Sequence, residues 1–206
     1  MKVLLINGSP HEKGCTYTAL SLIAKELNDA GVDTEILHVG GKPVGGCIGC
    51  GGCRSGNGCV FGGVVNEAIE KAKTADAFVF GSPVHYASAA GNMASFMDRL
   101  AYAGGKYLAY KPAAVCCSAR RAGTTSTLDQ LVKYPQFFHM PLVNGSYWAM
   151  VHGSNPEQVL QDAEGCAVMQ ELGRNMAWLL HCIEAGKAAG IDHPQNPPRP
   201  MTNFIR

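Results

Sequence analysis

Short, continuous apolar runs alternate along this chain with stretches in which apolar residues recur every three or four positions. The first run is residues 2–7, Lys-Val-Leu-Leu-Ile-Asn. Val3 to Ile6 are uninterrupted by a polar residue, so the run predicts a strand covered on both faces. In residues 15–30, Leu20, Ile23, Ala24 and Leu27 fall on one helical face. Gly31 then stands where a left-handed residue ends a helix at least cost. The same reading predicts strands over 33–39, 76–81, 112–117 and 139–148. It predicts helices over 64–74, 90–102 and 123–134, the second with Met93, Phe96, Met97 and Leu100 as its apolar face. Residues 156–188 predict one long helix, or two broken near Gly165 or Gly173. Residues 40–63, rich in glycine and cysteine, predict a loop.

Alternating strands and helices, with strands that do not themselves alternate, predict an α/β fold. The expected form is a doubly wound, five-stranded parallel sheet in a three-layer α/β/α arrangement. No repeat or low-complexity linker divides the chain. Residues 1–190 are therefore expected to form a single domain. Pro194, Pro197, Pro198 and Pro200 forbid a regular helix in the tail. Residues 191–206 are expected to be an arm lying over the body or a partner subunit.

Composition narrows the function. The chain has 206 residues, enough for one sizeable core. Its 17 basic and 16 acidic residues give no basic footprint for nucleic acid. No apolar run approaches a membrane span. The first run is too short for a signal-peptide core, so a cytoplasmic setting is expected. Nine cysteines are an odd count, which favours thiols or metal ligands over a disulfide framework.

Three strand-to-helix loops carry candidate chemistry. The first is Asn7-Gly8-Ser9-Pro10-His11-Glu12-Lys13-Gly14-Cys15-Thr16-Tyr17-Thr18. Free N–H groups at the helix start, with hydroxyls on Ser9, Thr16 and Thr18, suit a phosphate monoester. The plain alternative is a turn capped by Ser9 and Thr16. Neither the nucleoside-triphosphate pattern G-x4-G-K-[ST] nor the dinucleotide pattern G-x-G-x-x-G is present. The second loop, Gly81 to Gly91, is rich in small residues with one aromatic, Tyr86, and suits close approach to a flat ring. The third, Ser118-Ala119-Arg120-Arg121-Ala122-Gly123-Thr124-Thr125, offers two arginines at a helix start for a carbonyl, ribityl or phosphate group. Cys116 and Cys117 lie in an apolar strand and read as core. Positions 122 and 123 are Ala and Gly, so the C-x5-R loop of a phosphatase is absent.

In this order the loops resemble the NAD(P)H-dependent FMN reductase family of flavodoxin-like proteins. The carrying motifs are Asn-Gly-Ser-Pro…Gly-Cys-Thr, Ser-Pro-Val-His-Tyr…Phe-Met-Asp-Arg and Ser-Ala-Arg-Arg-Ala-Gly-Thr-Thr. Gly173-Arg174-Asn175-Met176-Ala177-Trp178 adds a further similarity. The resemblance implies a 2-1-3-4-5 sheet, non-covalent FMN, NAD(P)H as reductant and a homodimer or homotetramer. Carried over by position, Ser9, Pro10, Gly14, Cys15, Thr16 and Thr18 form the first part of the cofactor site. Ser9, Thr16 and Thr18 would hold the phosphate. Cys15 stands where an Asn is often found, which leaves one side-chain phosphate contact open. Pro83, Val84, His85 and Tyr86 would line the ring, with Ser118, Arg120, Arg121 and Gly123 at its other edge. The implied activity passes electrons from NAD(P)H through FMN to a small acceptor: a quinone, a nitro or azo compound, or free flavin. No protein acid or base is required. A flavodoxin-like carrier is the rival, and such carriers are usually strongly acidic, unlike this chain. A cofactor-free redox or zinc module is a third class.

Cys47, Cys50, Cys53 and Cys59 follow the spacing C-x2-C-x2-C-x5-C within a glycine-rich stretch. Four soft ligands so close together suit an iron–sulfur cluster or zinc. The spacing and its place after the second strand resemble the motif of the iron–sulfur flavoproteins. Cluster-free reductases of the family carry a similar loop, and Cys59-Val60-Phe61 can simply pack. A [4Fe–4S] cluster, zinc and packed thiols all remain open on sequence alone.

Overall fold

The structure, a computed structural model, describes residues 1–204. In chain order its elements are β1 (Lys2–Asn7), α1 (Cys15–Asp29), β2 (Asp33–His38), α2 (Val64–Thr74), β3 (Ala77–His85) and β4 (Ser88–Ala89). There follow α3 (Gly91–Gly104), β5 (Ala113–Ala119), α4 (Thr124–Phe137), β6 (Met150–His152), α5 (Pro156–Val159) and α6 (Ala163–Ala188). The sheet order is β2-β1-β3-β5-β6, all parallel. The two-residue β4 pairs antiparallel with the end of β3. Apart from that extra hairpin strand, this is the expected flavodoxin-like order.

Side chains alternate across each strand, so one apolar run feeds two cores. Val3, Leu5 and Val79 pack under α1 and α6, with Leu20, Ile23, Met169 and Leu172. Leu4, Ile6, Phe78 and Phe80 pack under α2 and α3, with Ile69, Met93 and Phe96. Cys116 and Cys117 are core residues, and burial pushes the Cys117 thiol up to about 12. Phe80 is fully buried and its ring lies 5.9 Å from that of Phe78. A Phe80→Ala protein should lose about 3–5 kcal/mol of stability through the cavity it leaves. Urea unfolding with an unchanged slope would measure it.

Two expectations need correcting. The last strand is at 150–152, downstream of the expected 139–148. Ala113 holds only 141–143, accepting from Val143 N–H and donating to the Pro141 carbonyl, both at 2.9 Å. Beyond Val143 the chain turns to α6 instead, where the Ser146 N–H donates to Glu171 Oε2 at 2.7 Å. Residues 144–149 bulge outward with Tyr147 and Trp148 exposed, and pairing resumes at Met150.

The C-terminal helical region does break, but between Val159 and Ala163 and not at a glycine. Asp162 caps α6 by accepting from the Gly165 N–H at 2.9 Å. Gly173 lies mid-helix because α6 presses on α1 there: an added Cβ would sit 2.7 Å from the Ile23 carbonyl.

Residues 191–203 carry no regular structure. His193 stacks on Tyr110 at 4.4 Å, and Arg199 lies over Phe137 at 5.2 Å. Among the described residues, no helix is long and apolar enough to cross a membrane.

Candidate functional site

The ends of β1, β3 and β5 put the three loops side by side at the C-terminal edge of the sheet, where ligands of open α/β folds lie. Asn7 builds the first loop. Its buried side chain accepts from the Ser9 N–H at 3.1 Å and donates to the Glu12 carbonyl at 2.9 Å. No role for Asn7 follows from its place in the sequence alone, although a buried Asn ending a strand is a turn-former. The end of β2 braces the same loop. His38 Nε2 is 2.7 Å from the Ser9 carbonyl, a bond that puts the proton on Nε2. Gly40 lies so close that a Cβ there would stand 2.1 Å from that carbonyl.

Gly14 caps α1 without a side-chain acceptor, and the first turn carries no acidic residue. Its first-turn N–H groups and positive dipole end therefore remain available to an anion. A cavity of about 560 Å³ opens here between residues 10–15 and 154–156. Ser9 is buried, and its Oγ accepts from the His11 N–H at 3.1 Å, which leaves the hydroxyl proton to give. Thr16 Oγ1 and Ser118 Oγ are 2.9 Å apart, joining the first loop to the third. Thr18 turns its hydroxyl back onto the Gly14 carbonyl at 3.2 Å. The Cys15 thiol donates to the Gly153 carbonyl at 3.5 Å, and burial, ahead of the Glu157 charge, pushes its pKa up.

The second loop is a tight hairpin. Val84 pairs with Ala89, and His85 with Ser88. Tyr86 and Ala87 form its tip at φ of 50° and 58°. Two non-glycine residues in the left-handed region carry about 1–2 kcal/mol of strain each. Tyr86 is fully exposed and His85 is exposed. Pro83 pairs with Ser118, so the second and third loops start together. Gly123, at φ 94°, caps α4 and meets the hairpin tip: a Cβ would lie 2.7 Å from Ala87 Cα. Ser126 Oγ donates to the Ala87 carbonyl at 2.7 Å. Arg120 and Arg121 are exposed beside this contact.

A second centre lies along α3. Cys47, Cys50, Cys53 and Cys59 all line one cavity of about 580 Å³, which Phe61 and Arg99 help to close. Among the described residues, no three Cys, His, Asp or Glu side chains converge as they would on one metal ion. In a cluster each thiolate binds a different iron, so four thiols around one hollow are the arrangement required. Cys47 and Cys50 are exposed, while Cys53 and Cys59 are half-buried. The donor set, four soft thiols around one hollow, fits a cluster.

Arg99 ends the Phe-Met-Asp-Arg motif, but its place at this centre is not expected from the sequence. It is buried, with Nε donating to Cys59 Sγ at 3.2 Å. Its position three residues after the buried Phe96 is the signal, since that places it beside the apolar face of α3. Seven residues before it on the same helical face, Asn92 donates to the carbonyls of Gly40 and Lys42 and accepts from the Val44 N–H. α3 thus begins at the hairpin loop and reaches the cysteine cavity about 10 Å further along its axis.

Comparison with known proteins places the chain in a family. The family model described as NADPH-dependent FMN reductase matches residues 1–155. An iron–sulfur flavoprotein of Methanocaldococcus jannaschii is 27% identical over 192 residues, covering 89% of this chain and 100% of that protein. An iron–sulfur flavoprotein of Archaeoglobus fulgidus is 33% identical over 100 residues, covering 48% of this chain and 46% of that one. Among solved structures, RosB with bound 8-demethyl-8-formylriboflavin-5'-phosphate has a TM-score of 0.69 at 14% identity, covering 100% of this chain and 94% of that one. The apo form of the NADH:FMN oxidoreductase EmoB has a TM-score of 0.63 at 18% identity, covering 86% of this chain and 89% of that one. The two solved structures speak to the fold. With the family model spanning all three loops, this chain belongs to the NADPH-dependent FMN reductase family of flavin-dependent oxidoreductases.

Proposed function

We propose that the chain binds FMN at the three loops, takes electrons from NAD(P)H and delivers them to a small acceptor such as a quinone, nitro or azo compound. We further propose that Cys47, Cys50, Cys53 and Cys59 hold a [4Fe–4S] cluster. The observation that carries the flavin reading is the uncapped start of α1, set against the hairpin and the third loop at one sheet edge. The observation that carries the cluster reading is the sharing of one cavity by all four cysteines.

FMN would supply two-electron exchange with a nicotinamide and one-electron exchange with a cluster. The protein's part is to hold and surround it. The start of α1 and the Ser9 hydroxyl would receive the phosphate. Backbone groups of Pro83 to Tyr86 would line one side of the ring. Ser118, Arg120, Arg121 and Gly123 would stand at the other, with the arginines offering charge to a carbonyl or phosphate oxygen. A homodimer or homotetramer is part of this reading, supported by the exposed Tyr147 and Trp148 on the 144–149 bulge.

Ser9→Ala should weaken FMN binding by about 1–3 kcal/mol, the loss of one bond to a charged group. Titration of the apoprotein with FMN reads it directly. The activity is tested by anaerobic NAD(P)H oxidation with a quinone. Multiple turnovers are expected. Flavin that is reduced only by a protein partner would replace the enzyme with a flavodoxin-like carrier.

A further inference from the structure

Arg99 is a buried cation without a carboxylate partner among the described residues. The neighbouring Asp98 also borders the cysteine cavity, but its carboxylate makes no ion pair with Arg99 and accepts from the Tyr134 hydroxyl at 2.6 Å. The guanidinium instead donates to Gly45 O at 3.3 Å, Gly62 O at 3.0 Å and Cys59 Sγ at 3.2 Å, and it lies 5.5 Å from the Phe61 ring centre. Those carbonyls bracket the cysteine loop on either side. A charge taken out of water costs several kcal/mol unless an opposite charge meets it. Carbonyl dipoles and one ring meet it in part. What remains within reach is the cavity lined by the four cysteines, whose wall also carries Asp98 and the exposed Arg54, so Arg99 is its buried cation.

We propose that Arg99 is the counter-charge of this cavity: a positioning residue that clamps both ends of the cysteine loop and raises the reduction potential of the centre held there. The inference rests on the reading that the cavity holds an iron–sulfur cluster. Four thiolates make that site anionic, and reduction adds one electron and one more negative charge. The electron comes from NAD(P)H by way of the flavin, and no bond to Arg99 forms or breaks. A guanidinium keeps its charge at every accessible pH. It therefore favours the reduced state over the oxidised one, and its N–H to sulfur bond acts in the same direction.

The test compares wild type, Arg99→Lys and Arg99→Met, each purified as the full chain without oxygen. Iron and flavin are assayed first, and the cluster is then titrated potentiometrically with its paramagnetic signal as readout. Wild type should hold about four irons per chain, the content of one [4Fe–4S] cluster. Arg99→Met with its iron intact should become harder to reduce by at least tenfold in the equilibrium constant, which is 59 mV for one electron. Arg99→Lys should stay nearer to wild type because the charge remains. An unchanged potential in Arg99→Met, or an equal fall in both variants, would overturn the proposal. If Arg99→Met cannot hold iron, Arg99→Lys decides: iron retained supports the counter-charge, whereas loss from both makes Arg99 only a loop clamp. If wild type itself takes up no iron, the cluster reading fails and this inference with it, while the FMN reading stands on its own assay.

Discussion

A Cys50→Ser protein purified without oxygen is expected to lose its iron and broad visible absorbance while keeping FMN at the wild-type level. Cys50 lines the cavity with Cys47, Cys53 and Cys59, and it is exposed, so the substitution disturbs no core packing. A serine oxygen is a hard, weakly acidic group and replaces a soft thiolate poorly. Iron should fall from about four per chain to well below one. The flavin should remain because its loops sit at the sheet edge, and Asn92 pins residues 40–44 to α3 independently of any thiol. Parallel loss of flavin and iron would mean that the two centres fold as one. Iron retained in full would remove Cys50 from the ligand set.

The second large effect is expected at Gly40. A methyl group there would stand 2.1 Å from Ser9 O, 2.4 Å from Ser9 C and 2.6 Å from Gly8 O. All three are backbone atoms of the first loop, so no side chain can swing aside. The loop must move away from β2, breaking the contact between His38 and the Ser9 carbonyl. Gly40→Ala should cost about 1–3 kcal/mol of stability, as overpacking does. Its FMN affinity should fall by at least about tenfold, since about 1.4 kcal/mol of misplacement suffices. Gly45→Ala is the control: nothing lies within 4 Å of its added methyl group. FMN titration and urea unfolding of both proteins check this. Equal affinity in Gly40→Ala and wild type would mean that the phosphate lies elsewhere.

Much of this molecule is legible along the chain because its strands are buried on both faces. The run Val3 to Ile6 and the helical spacing from Leu20 to Leu27 leave little choice of element, and β1 and α1 lie where the pattern puts them. The loops after β1, β3 and β5 are also readable, because strand-to-helix turns collect at one edge of a parallel sheet. Elsewhere tertiary contacts override local signals. Pro83 suggests the end of a strand, yet β3 continues to His85, since pairing with β5 and the hairpin supports it. Gly165 and Gly173 suggest helix breaks, but one receives the Asp162 cap and the other admits the backbone of α1. Arg99 and Gly40 act through partners far away in sequence. Phe96 hints at the burial of Arg99, but only the fold brings that charge to Cys59, 40 residues earlier.

The central claim is flavin at the three loops, reducible by a nicotinamide. An ultraviolet–visible spectrum of anaerobically purified protein, recorded before and after NAD(P)H is added, tests it most directly. One FMN per chain is expected, with bleaching of the flavin bands on addition of NADH or NADPH. Protein that remains colourless after saturation with FMN, or bound FMN that neither nicotinamide bleaches, would contradict it.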